Sequence, residues 1–310
     1  MANNRIDPSS PRWYLQNPLW KSSALFAEAI ATVDHLRAQF ADAGVSLNPT
    51  SELARAMDRA TRFASAPELE SGNDDLFMRA VIQGQFLDRI ARACAGIRGV
   101  LDERQHLIKI KKGSVDPGSR IPSPAKDKLF ELELLAVLRE QELDVTLAEP
   151  DIAVRTAFGV AHIACKRIYS RKNAESQISK GIHQLGRSQG HKILALCLDD
   201  LLPPYSGISA ESPEETAQQL VAFASDFLSS VEAKIYSYFV MRRVSFLVAS
   251  TTSPVCYIGE QGHVAVQTQL FFFMPDPALG DIAVKARHIC DDLFFRPSRR
   301  WDKGSENISV

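Results

Sequence analysis

The chain has 310 residues, enough to bury a sizeable core without disulfide staples and, at roughly 150 residues per domain, to form about two domains. Hydrophobic residues make up 45% and charged residues 24%, an ordinary globular balance that excludes disorder, collagen and a disulfide scaffold. Thirty-six basic residues against 37 acidic ones give a bulk charge that points to no nucleic acid, membrane or acidic ligand. Five cysteines (Cys94, Cys165, Cys197, Cys256 and Cys290) form no CxxC pair and are odd in number, so buried free thiols in a reducing cytosol are expected. The N-terminus, MANNRIDPSSPRW, lacks the apolar stretch of a signal peptide, and apolar runs such as 270–274 fall far below the ~18 residues that span a bilayer. A cytoplasmic protein with no membrane partner is expected.

Residues 21–103 read as helices. Phe26, Ile30, Val33 and Phe40 recur at helical spacing, with polar residues between them. Thr50 or Ser51 is placed to cap a second helix with Leu53, Ala56, Met57 and Ala60 along one face. Asn73 or Asp74 caps a third, whose stripe of Leu87, Ile90, Cys94, Ile97 and Leu101 is short and suits antiparallel packing better than a coiled-coil seam. Three prolines and two glycines in KKGSVDPGSRIPSP, residues 111–124, then break the pattern. The expected organisation is a helical accessory region over 1–112, a linker over 113–124 and one α/β domain over 125–310.

Within that domain, 125–141 reads as a helix, 147–154 and 160–168 as a hairpin turning at 156–159, and 173–188 as a helix. KILALCL (192–198) is a continuous apolar run, as in a strand covered on both faces. A long helix over 213–241, strands at 244–250 and 264–274, and a helix over 281–294 complete the series. Helices and strands in this alternation predict an α/β sheet covered by helices.

Three features fall in order: Glu149-Pro150-Asp151 entering the hairpin, Ala164-Cys165-Lys166 on its return strand, and the following helix with Glu175, Gln177 and Gln184. Period-two alternation puts His162, Ala164 and Lys166 on one face and turns Ile163 and Cys165 into the core. Pro150-Asp151, with Ala164-Cys165-Lys166 ending fifteen positions later, a helix before and an apolar strand after, resembles the PD-(D/E)xK nuclease superfamily over about 125–198. The resemblance implies a restriction-endonuclease-like αβββαβ core, a mixed sheet flanked by helices, with the N-terminal helical region outside it. It also implies Mg²⁺-dependent hydrolysis of DNA phosphodiester bonds, with Mn²⁺ able to substitute, of the kind found in restriction or phage defence. Asp151 and the backbone carbonyl of Cys165 would hold the metal, and Lys166 would orient the attacking water or stabilise the developing charge. Glu131, beside the apolar stripe of Leu134, Leu135 and Leu138, is the candidate acid from the preceding helix, whereas Glu133 is expected to be solvated. One departure matters: the acid two places before the lysine is Ala164, and Glu175 is the candidate to replace it as catalytic residue and metal ligand. The alternative is an inactive nuclease-fold protein that binds nucleic acid or a protein.

Charge is distributed unevenly around these residues. Residues 155–192 carry eight bases and one acid, +7, whereas 127–151 carry eight acids and two bases, −6. A basic stretch adjoining an acidic cluster suits phosphates held beside a metal, although mutual neutralisation across the sheet would give the same pattern. Arg167, Arg171, Lys172, Lys180 and Gln184 are the candidate nucleic-acid contacts, and the N-terminal helices the candidate surface for a homodimer or protein partner. Thr251 to Pro254 reads as a loop, Phe271 to Phe273 as sheet core or an interface, and Arg296, Arg299, Arg300 and Trp301 as a solvated end. No GxSxG elbow or phosphate-binding glycine loop occurs.

Overall fold

A computed structural model describes residues 13–15, 20–22, 26–65, 74–204, 207–257 and 263–295, and the basic C-terminal end and Asn73 lie outside the described residues. Four helices come first: α1 (Phe26–Asp42), α2 (Glu52–Ser65), α3 (Asp74–Ala95) and α4 (Glu103–Lys112). The Ser51 hydroxyl accepts from the Ala54 amide and caps α2. Leu87, Ile90, Cys94 and Ile97 are buried as their spacing predicts, but Leu101 is 87% exposed. The chain turns after Ala95, and α4 begins beyond Leu101, so the stripe stops one position short of its predicted length.

Helix α5 (Pro124–Glu140) follows, with Ser123 as its N-cap and proline at its first position, where a missing N–H costs nothing. Where one strand over 147–154 was predicted there are two, β3 (Val145–Leu147) and β4 (Ile152–Thr156), paired antiparallel about a turn with a cis Glu149–Pro150 bond. Next come β5 (Gly159–Arg167), α6 (Ala174–Leu185), β6 (His191–Cys197), the short β7 (Ile208–Ala210) and α7 (Pro213–Val240). The long strands β8 (Phe246–Tyr257) and β9 (His263–Phe273) precede α8 (Asp281–Phe294). Thr251 to Pro254, predicted as a loop, continue β8 in register with 266–269 of β9.

Two three-residue strands near the N-terminus, β1 (Trp13–Leu15) and β2 (Trp20–Ser22), both pair with β9. The resulting mixed sheet runs β1-β9-β8-β6-β5-β4-β3, with β2 beside β9 and β7 beside β8. Strands β5, β6 and β8 are parallel neighbours, joined through α6 and α7, while β3, β4 and β5 form an antiparallel meander. Helices cover both faces. Ile163, Cys165, Ile193 and Ala195 point into a core shared with α5, α8 and the first four helices. Ala164, Leu194 and Leu196 point into a second core under α6 and α7. Phe271, Phe272 and Phe273 are sheet core, at most 2% exposed.

The helices α1 to α4 form no separate core, because Val33, Met57, Ile90 and Leu107 belong to the same apolar cluster as Leu135 and Ile152. Residues 113–124 are packed rather than loose: Val115 is buried, and the Glu52 carboxylate accepts from the Val115 and Asp116 amides at 3.1 and 2.7 Å. Cys94, Cys165, Cys197 and Cys290 are free and buried, and burial pushes the Cys94 thiol up to about 12. Among the described residues no helix is long and apolar enough to cross a membrane.

Candidate active site

The site lies where β4 and β5 diverge. Ile152 pairs with Ile163, so Asp151, just ahead of β4, falls beside Ala164 and Cys165. Its Oδ2 accepts from the Cys165 amide at 2.7 Å. The Lys166 ammonium donates to the Cys165 carbonyl at 2.7 Å and stands 3.7 Å from Asp151 Oδ2. Both side chains are largely enclosed, Lys166 at 16% exposed and Asp151 at 13%. Gly181 of α6 makes room for the lysine stem: a Cβ there would meet Lys166 Cγ at 3.2 Å and the buried Leu194 Cδ1 at 2.5 Å.

Helix α5 supplies two more carboxylates. Glu131 pairs with Lys128 one turn earlier and is 13% exposed. Burial and the negative charge of Asp151 raise its pKa, against the pull of Lys128. Asp127 accepts from the Tyr169 hydroxyl at 2.9 Å, and burial raises it as well. Asp151 is raised by burial in spite of Lys166 and the Cys165 amide. Three carboxylates whose charged form is disfavoured, beside a lysine, are a costly arrangement of the kind that gathers at functional sites.

Two open clefts of roughly 960 and 940 Å³ meet at Asp127, Glu131 and Asp151. Lys166, Lys180, His183 and Arg243 line the first, and Arg98, Lys109 and Lys128 the second. The carboxylates thus form a ridge with a basic rim on either side. Two ion pairs, Arg155–Asp144 and Lys166–Asp151, join the basic and acidic stretches of the sequence.

The structure brings together Asp151, Lys166, the Cys165 carbonyl and Glu131, with Lys180 and Gln184 in the same cleft. Gln184 Oε1 is buried and has no partner among the described residues. Glu175 is not in this group: it is exposed and lines neither cleft. At 3.6 residues per turn it sits on the flank of the α6 stripe opposite Gln177 and Gln184. Ala164 is fully buried against α6 and α7. Arg167, expected at the nucleic-acid surface, is only 4% exposed because its face of β5 packs under α5, and its guanidinium pairs with Asp200. Arg171 is exposed and paired with Asp226, and Lys172 is exposed outside both clefts. Glu133, expected in solvent, is 15% exposed and gripped by Arg89 at 2.6 and 2.9 Å, since α3 covers that side of α5. Sequence reasoning missed Asp127, Tyr169, Tyr238 and Arg243 as cleft residues, and Tyr238 and Arg243 arrive only through the packing of α7 on α6.

Among the described residues there is no group of three or more His, Cys, Asp or Glu placed to hold a metal ion. The donors present are Asp151 and the Cys165 carbonyl at the diverging strands and Glu131 of α5, which lines the same clefts. This set of hard oxygens suits Mg²⁺, which binds through one or two carboxylates and keeps several waters. Burial first, and then the negative charge of Asp151, raise Glu131, and a dication beside it would relieve both. Compared with protein-family models, curated proteins and solved structures, the chain has no match.

Proposed function

We propose that the chain is a metal-dependent nuclease of the PD-(D/E)xK type, hydrolysing DNA phosphodiester bonds. The observation that carries this reading is the convergence of Asp151, the Cys165 backbone and Lys166 at the diverging ends of β4 and β5, beside Glu131. The run α5-β3-β4-β5-α6-β6 has the αβββαβ order of that fold and supports the same reading. Asp151, the Cys165 carbonyl and Glu131 would hold Mg²⁺, with Glu131 in the place first assigned to Glu175. Bound there, the ion supplies Lewis-acid stabilisation of charge on the phosphate. Lys166 donates to the oxygen on which charge develops as water attacks phosphorus and the bond to the leaving sugar oxygen breaks. Lys180 and Arg243 on one rim, with Arg98 and Lys109 on the other, hold the phosphates on either side.

A second reading, an inactive nuclease-fold protein that binds nucleic acid, is favoured by one observation: buried Ala164 leaves the usual acid position empty of any ligand, and Glu175 is turned away from the clefts. Plasmid, linear and single-stranded DNA incubated with Mg²⁺ or Mn²⁺ separates the two. Cleavage by the wild type falls at least about 100-fold in Asp151→Ala and Lys166→Ala, with circular dichroism unchanged, if the first holds. Equal cleavage by all three proteins would sink it, and salt-dependent binding without cleavage under either metal selects the second.

A further inference from the structure

We infer that the space between α3, α5 and the sheet binds a short alkyl carboxylate, its head on Arg167 and its tail in an adjoining apolar cavity. At the carboxyl ends of the parallel strands β5, β6 and β8, where ligands of open α/β sheets bind, a cleft is lined by Arg89, Arg120 and Arg167 against one carboxylate, Asp199. Two of the three guanidiniums are satisfied. Arg89 grips Glu133 and reaches Asp199 at 3.1 Å, while Arg120 donates to the Pro117 and Leu202 carbonyls and lies 3.4 Å from Asp200. Arg167 bonds Asp200 through Nε and stands 3.7 Å from Asp199 through Nη2, but its Nη1 is buried without a hydrogen-bond partner among the described residues. With the side chain only 2% exposed, that donor is cut off from bulk water, and an anionic oxygen is the acceptor its charge favours.

The neighbouring cavity shares Arg89 and Val266 with this cleft and continues between α3, α5 and strands β6, β8 and β9. Ala93, Phe130, Val137, Val248 and Leu270 make most of its wall apolar, with Ser250 and Thr268 on the sheet side and the charged Asp88, Arg89, Arg92 and Glu133 on the side of α3 and α5. The free space is about 50 Å³ in the cleft and about 50 Å³ in the cavity, so each takes roughly four water-sized groups. That is too little for a nucleotide or a peptide and fits a head group followed by a short unbranched chain. The one unpartnered guanidinium donor of Arg167 and the largely apolar wall beyond it select a carboxylate over an alcohol or an inorganic anion.

Isothermal titration of the full chain with acetate, butyrate, hexanoate and octanoate, and with hexanol and inorganic phosphate as controls, tests the assignment. Affinity is expected to rise about three- to fourfold per added methylene as far as hexanoate. Ala93→Leu, which fills the cavity, should abolish that ladder with circular dichroism unchanged, and Arg167→Lys should weaken hexanoate at least tenfold. Should Arg167→Lys fail to fold, Ala93→Leu decides. Hexanol or phosphate binding as tightly as hexanoate, a ladder that survives Ala93→Leu, or no binding at all overturns the proposal. Arg167 also lines the candidate active-site cleft, so a ladder lost in Lys166→Ala would move the carboxylate to that cleft and refute this one. Heat of binding is the readout, so failure of the nuclease reading leaves the outcome intact.

Discussion

Asp199 holds two guanidiniums, Arg89 at 3.1 Å and Arg167 at 3.7 Å, and accepts from the Thr252 amide at 2.8 Å. Burial alone would raise its pKa, yet Arg89 and Arg167 overcome that and hold it below the usual carboxylate value. A depressed folded pKa means stability that is fully present above the unfolded value, about 3.9, and is lost as pH falls through the folded one. Asp199→Asn leaves two buried cations short of a partner and should cost about 3–5 kcal/mol at pH 7. Urea unfolding at pH 7 and in steps below pH 4 should show that gap narrowing in acid, because the wild type loses the contribution there and the variant has none to lose. A gap that stays constant across the range would assign the loss to shape rather than charge.

At the level of elements, the helices α1 to α4 cover the side of α5 that faces away from the sheet, and Arg89 of α3 ties Glu133 of α5 to Asp199 after β6. Residues 113–310 alone would expose that side of α5, so the truncated chain should be insoluble or give a non-cooperative thermal transition by circular dichroism. A sharp transition from a soluble fragment would restore the picture of an accessory region on a self-sufficient domain. The elements around the site were legible because their signals are local: KILALCL announces β6, and the stripe of Ile178, Ile182 and Leu185 announces α6. The break between β3 and β4 was not, since the strand expected over 147–154 ran straight through Glu149-Pro150-Asp151, where the chain in fact turns. Glu133 and Arg167 were misjudged for the same reason. Both lie on faces whose cover comes from distant helices, which no window of sequence contains. Glu175 lies at the edge of the α6 stripe, but a stripe has two edges and only tertiary packing says which one meets the cleft.

For the whole molecule, near-neutral charge conceals a ridge of carboxylates between two basic rims. Binding to such a surface is governed by counterion release, so DNA affinity should fall steeply with salt. Fluorescence anisotropy with Ca²⁺ in place of Mg²⁺, between 50 and 200 mM salt as about the working range, should give a negative log–log slope that shrinks by about 1 in Lys180→Ala and again in Arg243→Ala. Slopes equal to that of the wild type would remove these two residues from the interface.

The sheet ends at both sides in strands of three residues: β3 at one edge, and β1 and β2, each against its own stretch of β9, at the other. At the β3 edge Arg139 also donates to the Val145 carbonyl at 3.3 Å, using one of the acceptors that an incoming chain would need. Edges this short offer a stray strand little ladder to join, which guards the protein against edge-to-edge aggregation as it accumulates in the cell.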